Sequence, residues 1–223
     1  MGCCMIVLEV KNFSVYTVCH SCIVGEIYTT CSNFSNMFVA GTYWLKGEID
    51  SGGWAFAHTL ICSNRKKTIL EKQTQYYFQG KQVSLNELQT HTWYLGEYDR
   101  SQHKTVKELV EKGLKKTGLP YSSEDIRQLF HIAPERYERN TRHVGFELFS
   151  CRAAIGFANG KDIYAFPWLS QKQQADKIPF IRNICLVLKD HQKLVLLPAL
   201  SLENAEEIVD YTYDFSDMNF YSY

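Results

Sequence analysis

Short apolar runs alternate with helical stretches in the C-terminal half of the chain, and this alternation restricts the fold more than any other feature. Ile163 to Leu169 is an apolar run that follows a glycine, and Leu194 to Leu197 is a second run. Both are predicted to be strands that are buried on their two faces. Gln171 to Asp190, between them, carries apolar residues at helical spacing, although Pro179 disturbs its first part. Strands linked through helices form right-handed crossovers, so this half predicts a parallel sheet.

The first ~95 residues favour strands, because β-branched and aromatic residues are frequent there. Met5 to Val18 and Ile23 to Thr30 are alternating stretches of this kind, and Gln75 to Phe78 and His91 to Leu95 are shorter ones. Lys46 to Gly53 gathers glycine, serine and aspartate, which predicts a loop. The N-terminal part is therefore expected to be β-rich.

The middle of the chain has helical periodicity instead. From Lys104 onwards, apolar residues recur on one helical face until Gly118 supplies a stop signal. Ser122 is an N-cap residue for a second helix. Cys151 to Asn159 is small and apolar and predicts another helix, and Ser201 is expected to cap a last one.

The composition excludes several classes of protein. Lys plus Arg equal Asp plus Glu at 24 each, so no overall charge attracts the chain to nucleic acid. Hydrophobic residues make up 45% of the chain, as in ordinary globular proteins. No apolar run reaches the ~18 residues that span a bilayer, and the N-terminus lacks the charged region and cleavage site of a signal peptide. A cytosolic protein whose 8 cysteines are mostly reduced is therefore expected.

A Cys-x-x-Cys pair formed by Cys19 and Cys22, with His20 inside it, has a spacing that zinc and redox sites use. A zinc site of this type needs a second spaced pair, and the sequence has none. The other histidines lack the spacing of metal ligands. We interpret the pair as incidental strand cysteines and predict no metal site, while an enzyme that uses thiol chemistry at this pair stays an alternative.

Six stretches of the chain, in the same order and at the same spacing, resemble the ATPase subunits of ABC transporters. They are Gly25–Tyr28, Gly47 with Asp50–Gly52, Tyr94–Tyr98, Lys104–Leu109, Arg152–Gly156 and Glu203–Asp210. The resemblance covers essentially the whole chain. It implies an α/β fold of the P-loop-NTPase-like ABC ATPase type, as a single domain over residues 1–223. This domain would have a β-rich N-terminal part, a helical subdomain near 99–150 and a parallel-sheet core.

The same resemblance places substitutions in the phosphate-binding loop of the family. Ser32 to Ala40 stands for this loop, with Phe38 at the position of the lysine and Val39 at that of the Mg²⁺-binding hydroxyl. Such a loop needs the lysine for its charge and glycines for close approach of the backbone to phosphate. This register also predicts a helix from Val39 to Lys46 and a turn at Asp50 to Gly52.

Other catalytic positions of the family are substituted as well. Its buried strand ends in Asp-Glu-Pro, whereas the strand here ends in Pro167, Trp168 and Leu169, so that Trp168 replaces the catalytic acid. Gly145 to Leu148 stands for the signature sequence, and Leu200 stands for the switch histidine. Phosphoryl transfer requires an acid that holds Mg²⁺ and a group that polarises water. The resemblance therefore implies a degenerate member without catalytic residues, which binds ATP and Mg²⁺ only weakly or through a partner subunit.

The resemblance also implies binding residues and partners. Tyr16 stands near the aromatic residue that stacks on adenine in the family, although sheet packing is an ordinary role for a strand tyrosine. Glu97, Tyr98 and Asp99 fall in the segment that contacts the permease, with Glu97 at the place of the Q-loop glutamine. The implied function is a non-hydrolysing subunit that pairs with a competent ATPase subunit and docks on a membrane permease, at the inner face of the cell membrane. The alternative is a stand-alone regulatory or interaction module with the same fold.

Overall fold

Two five-stranded sheets, with helices between and beside them, make up the fold. The computed structural model describes residues 6–21, 25–61, 68–70, 72–96, 104–171, 176–202 and 206–215. The strands are β1 Ile6–Ser21, β2 Gly25–Val39, β3 Gly41–Lys46, β4 Thr68–Leu70, β5 Gln75–Phe78, β6 Lys81–Val83, β7 Thr92–Tyr94, β8 Ile163–Ala165, β9 Leu194–Ala199 and β10 Tyr211–Asp214. The helices are α1 Gly52–Ile61, α2 Leu85–His91, α3 Val106–Thr117, α4 Ser123–Leu129, α5 Pro134–Tyr137, α6 Leu148–Ala158 and α7 Ile178–Asp190.

The N-terminal sheet is antiparallel, and β1 lies at its centre. β1 pairs with β2 on one side and with β4 and β5 on the other, and β6 pairs with β5. One face of β1 and β2 carries apolar side chains that are buried against α1, among them Val10, Phe13, Phe34 and Phe38. The β-rich N-terminal part predicted from the sequence is therefore confirmed.

The second sheet is parallel, with the strand order β10-β3-β9-β8-β7. Every residue of β9 is buried, and successive side chains point to opposite faces of the sheet. Leu194 and Leu196 join the core that contains α1, whereas Val195 and Leu197 join the core that contains α6 and α7. The parallel sheet that the apolar runs predict is confirmed, and with it the α/β fold class.

Helix α1 lies between the two sheets, and its residues Gly52 to Leu60 are all buried. Phe56, in its middle, packs edge-on against Phe13 and is stacked on Phe38. A helix that is apolar on all sides must be covered on all sides, and the two sheets do this. The loop that precedes α1 is consequently held where the two sheets meet.

Local capping signals set the ends of the helices in the middle of the chain. Thr105 and Glu108 form a capping box at the start of α3, and Gly118 ends this helix in the left-handed conformation with φ of 68°. Ser122 and Asp125 form a second capping box at the start of α4. Both predicted helices are confirmed. The subdivision of the chain into a core and a helical subdomain stays a prediction.

The helix predicted from Val39 to Lys46 is wrong, because Gly41–Lys46 is strand β3. β3 lies between β9 and β10, with Tyr43 in register with Leu196 and with Tyr211. Tyr43 and Leu45 are buried, so the alternation in this segment reflects the pleat of a strand. The predicted phosphate-binding loop, Ser32 to Ala40, therefore lies before β3, too early in the chain to join this strand to a helix.

The C-terminal helix expected after Ser201 does not appear in the described part of this region, which leaves out residues 203–205. The structure instead has one 3₁₀ turn, Glu206–Ile208, followed by β10, which pairs in parallel with β3. The helix expected from Gln171 begins at Ile178, with Pro179 in its first turn, where proline is tolerated. Within the described residues, every helix is too short or too polar to cross a membrane.

Candidate functional site

The loop 47–51, which joins β3 to α1, has the glycine spacing of a phosphate-binding loop. Four residues separate Gly47 from Gly52, as in the motif Gly-x4-Gly-Lys-Ser/Thr. The loop also follows a strand and opens a helix, which is the structural context that this motif requires. In this register Gly53 takes the position of the lysine, and Trp54 takes the position of the hydroxyl residue.

Phe38 and Val39, which were expected at these two positions, lie in β2. The ring of Phe38 is buried between the sheets and is stacked on Phe56, with 5.5 Å between the centroids. Phe38 is therefore a core residue, and the predicted register is wrong. The spacing of Gly47 and Gly52 after an alternating strand was the signal that locates the loop.

The two ends of the loop approach each other closely. A Cβ atom on Gly47 would lie 2.5 Å from Ser51 Oγ, so only glycine fits there. The backbone N–H of Ser51 donates to the carbonyl of Glu48 at 3.0 Å. Ser51 is buried, and its hydroxyl has no hydrogen-bond partner among the described residues. The loop thus encloses one unpaired polar atom.

Two side chains from distant parts of the chain bind carbonyl groups of the loop. The hydroxyl of Thr29, in β2, lies 2.7 Å from the carbonyl oxygen of Asp50 and 2.9 Å from that of Ser51. The indole N–H of Trp168, in the segment after β8, donates to the carbonyl of Gly47 at 3.1 Å. The structure therefore brings Trp168 beside the loop, where the sequence placed a substituted catalytic acid.

Phe215, the residue after β10, fills the space beside the first turn of α1. Its N–H donates to the carbonyl of Lys46 at 2.8 Å, and its buried ring lies 5.1 Å from the ring of Phe34 between centroids. A Cβ atom on Gly52 or on Gly53 would lie 3.0 Å from a ring carbon of Phe215. Carbon atoms in ordinary contact are ~3.5–4.0 Å apart. A side chain at either position would therefore have to displace Phe215.

The charges around the loop are mostly negative. Glu48 and Asp50 lie within it, and the ammonium of Lys46, just before it, forms an ion pair with Asp214 at 2.9 Å. Trp54 is buried, and its side chain has no oxygen to offer a metal ion. The N-terminus of α1 attracts anions, but the two carboxylates of the loop oppose that attraction.

The three cysteines whose side chains the structure describes are all buried. Cys31 lies in β2 beside the loop, and burial raises the pKa of its thiol to about 12. Cys151 and Cys185 are also buried and free, so the expectation of reduced cysteines is confirmed for these three. The side chains of Cys19 and Cys22 lie outside the described residues, as do the interpretations placed on them. Within the described residues no cluster of His, Cys, Asp and Glu could hold a metal ion.

Tyr16 lies on the outer face of the N-terminal sheet. Its neighbour Thr17 is buried and pairs with Thr29, the residue that binds the loop. Since successive side chains point to opposite faces, Tyr16 points away from the loop, and its ring lies 6.0 Å from the exposed ring of Tyr28. The structure does not bring Tyr16 together with the loop, and its contact with a nucleotide stays a prediction.

Of the other residues predicted from the resemblance, some lie in the described part of the chain and some lie outside it. Glu97, Tyr98 and Asp99 lie outside the described residues. Gly145 to Leu148 forms a 3₁₀ turn and the start of α6. Leu200 follows β9 and is partly exposed. A role of these residues in binding or catalysis stays a prediction.

Solved structures with the same fold include ATP-binding subunits of ABC transporters. An ATP binding subunit of an ABC transporter superposes with a TM-score of 0.64 at 14% identity, over 94% of this chain and 86% of that chain. MJ1267, an ATP-binding cassette of an ABC transporter, gives a TM-score of 0.66 at 14% identity, over 95% of this chain and 88% of that chain. The dimeric post-hydrolysis state of the ATP-binding cassette MJ0796, bound to ADP and Pi, gives 0.62 at 12% identity, over 94% of each chain.

The sequence by itself carries no comparable match. No protein-family model matches it, and neither does any curated protein. Identities as low as these show the fold and leave the activity open. The chain therefore has the fold of the ATP-binding subunits of ABC transporters, as the sequence predicts.

Proposed function

We propose that this chain is a non-hydrolysing subunit of an ABC transporter, which keeps the fold of an ATP-binding subunit without its chemistry. It would pair with a competent ATPase subunit and dock on a membrane permease from the cytoplasmic side. The support for a transport role is the fold shared with ABC subunits over nearly the whole chain. The support for lost hydrolysis comes from the loop 47–51.

The observation that carries the proposal is the identity of the two residues after the second glycine of this loop. Phosphate binding requires a lysine at the position of Gly53, and Mg²⁺ binding requires a hydroxyl at the position of Trp54. Phe215 packs against Gly53, so the space beside this position is already occupied by the protein. Trp54 is only 3% exposed and belongs to the core. These residues do not fit Mg²⁺ and a nucleoside triphosphate.

Trp168, which follows the buried strand β8, also supports the loss of hydrolysis. Hydrolysis needs a carboxylate here that holds Mg²⁺ or positions water. Trp168 has no carboxylate, and its N–H is used to bind the carbonyl of Gly47. We infer that this contact stabilises the loop as a structural element.

The proposed partners follow from the role of this fold in ABC transporters. Glu97, Tyr98 and Asp99 are proposed to contact the permease. The dimer of MJ0796 is the precedent for pairing between such domains. In the proposed pair, the partner subunit would supply the nucleotide chemistry that this chain lacks.

Hydrolysis is tested with the purified chain. We expect no Mg²⁺-dependent ATP hydrolysis and no saturable binding of a fluorescent ATP analogue. ATPase activity that co-purifies with the chain and disappears when Trp54 or Trp168 is substituted would contradict the proposal.

Partner binding is tested in cells by co-purification with membranes. The double variant Tyr98→Ala with Asp99→Ala should lose membrane association without unfolding, whereas Lys115→Ala, an exposed substitution elsewhere, should keep it. Association that survives the double variant would remove the proposed interface. A wild-type chain that associates with neither membranes nor an ATPase subunit would favour the stand-alone regulatory module.

A further inference from the structure

A cavity of about 390 Å³ lies beside β7, at the edge of the parallel sheet, and shares no residue with the loop 47–51. Its walls include the aromatic residue Trp93 and three basic residues, Lys112, Arg152 and Lys161. None of the described residues that line it is Asp or Glu. The cavity is therefore a partly open cleft whose described charged side chains are all basic.

Within the described part of the chain, neither lysine of the cavity has a carboxylate as an ion-pair partner. No described residue forms an ion pair with Lys112 or with Lys161. The carboxylate next in the chain, Asp162, is engaged elsewhere: one oxygen lies 3.1 Å from His91 Nδ1, and the other accepts from Lys193 Nζ at 2.8 Å. Lys161 Nζ donates to a backbone carbonyl, which carries no full charge.

The pKa of Lys161 is lowered, as expected for an ammonium group without an ion-pair partner among the described residues. Burial lowers the pKa of Lys161, and the nearby ammonium of Lys116 acts in the same direction. Asp162 opposes both effects but does not outweigh them. An anion bound beside Lys161 would favour the charged form of its ammonium group.

The third cation is held in a fixed position. Arg152 donates from Nε and Nη2 to the carbonyl of Tyr94 at 3.3 and 3.2 Å, and its guanidinium lies 5.0 Å from the centre of the Trp93 ring. The indole N–H of Trp93 donates back to the carbonyl of Arg152 at 2.7 Å. Lys161 Nζ lies 5.8 Å from the same ring. Because the ring already contacts two cations, a ligand would be recognised through charge and not through stacking.

We propose that this cavity binds a small multivalent anion, a phosphate ester or a polycarboxylate, between Lys112, Arg152 and Lys161. Charge-assisted hydrogen bonds to ammonium and guanidinium groups are among the stronger ones that proteins make. Pockets for small molecules typically have volumes of ~300–1,000 Å³, so a ligand with a few heavy atoms fits this cavity. The inference does not depend on the absence of ATP hydrolysis, since the cavity and the loop share no residue.

The test is calorimetric titration of the full-length chain at low salt with pyrophosphate and, separately, with citrate. We expect saturable binding of at least one of them at one site per chain, weakened by added salt because the contacts are between charges. Hydrogen bonds to charged groups contribute enough that Lys112→Gln and Lys161→Gln should each weaken binding by about tenfold. Lys115→Gln, an exposed lysine on the same helix α3, is the matched control and should bind as the wild type does.

Three results would overturn the proposal. One is the absence of binding for both anions in a wild-type chain that melts cooperatively. Another is binding that Lys112→Gln and Lys161→Gln leave unchanged, which would place the anion elsewhere, for example at the loop 47–51. The third is binding of an acidic peptide in the absence of any binding of small anions, which would make the cavity a site for a protein segment. The two probes also separate phosphate chemistry from carboxylate chemistry.

Discussion

Restoring the motif lysine by Gly53→Lys should destabilise the protein and should not create a site for ATP. A Cβ atom at this position would lie 3.0 Å from a ring carbon of Phe215 and 3.1 Å from the Cβ of Leu45. Carbon atoms in ordinary contact are ~3.5–4.0 Å apart, so these neighbours must move by roughly half an ångström. Overpacking of this kind costs ~1–3 kcal/mol, and replacing glycine in a helix offsets at most ~1 kcal/mol of this. We expect the free energy of unfolding to fall by roughly 1–2 kcal/mol.

Urea denaturation measures this loss, and thermal melting gives a second readout, since 1 kcal/mol shifts the Tm of a chain of this length by ~2–4 °C. Gly53→Ala is the matched variant, because it adds the Cβ without the ammonium. A double-mutant cycle with Phe215→Ala then tests the contact itself. Gly53→Ala should cost less stability when Phe215 is already alanine, because the space has been opened.

A Gly53→Lys chain that is as stable as the wild type and binds a fluorescent ATP analogue with Mg²⁺ would refute this reasoning. The same result would weaken the proposal that the chain has lost its nucleotide site through packing. Additive effects of Gly53→Ala and Phe215→Ala would show that the ring of Phe215 is not what closes this position.

Three further predictions concern single contacts. Trp168→Phe removes the hydrogen bond to the carbonyl of Gly47 and should lower the free energy of unfolding by ~0.5–1.5 kcal/mol in urea denaturation, whereas an unchanged value would mean that the bond does not hold the loop. Gly118→Ala should lower the free energy of unfolding by ~1–2 kcal/mol through backbone strain alone, because φ is +68° and no atom lies within 4 Å of the added Cβ. An unchanged free energy of unfolding would contradict the left-handed cap. The side chain of Arg127 lowers the pKa of Glu124 to about 2 from its ordinary value of 4.5. Since this pKa is depressed in the folded state, the stabilisation is present above pH 4.5 and is lost as the pH falls toward 2. Glu124→Gln should therefore be less stable than the wild type at pH 6, and the difference should be smaller at pH 3. Paired urea titrations at the two pH values measure this.

The helices in the middle of the chain were predictable because their signals are local. Thr105 and Gly118 set the two ends of α3 through caps that involve residues only three or four positions away. The buried strands β8 and β9 were predictable for a related reason, since a strand with helices on both faces is apolar along its whole length. The α/β class followed from these elements.

The strand before the loop could not be assigned in the same way. Gly41–Lys46 is held by β9 and β10, which lie more than a hundred residues later in the chain, and no local signal separates it from the end of β2. The sequence analysis therefore placed the motif lysine at Phe38. The long pairing of β1 with β2 places Phe38 in the core and shows that this register is wrong.

The sequence by itself thus determined the alternation of strands and helices and the local signals that end α3 and begin α4. Only the tertiary structure decided which side chains contact the loop 47–51 and the first turn of α1. Thr29, Trp168 and Phe215 come from three distant segments and meet at residues 47–53, and the packing of two sheets around α1 brings them there. Contacts of this kind have no sequence pattern, because each depends on the relative position of elements that are far apart in the chain.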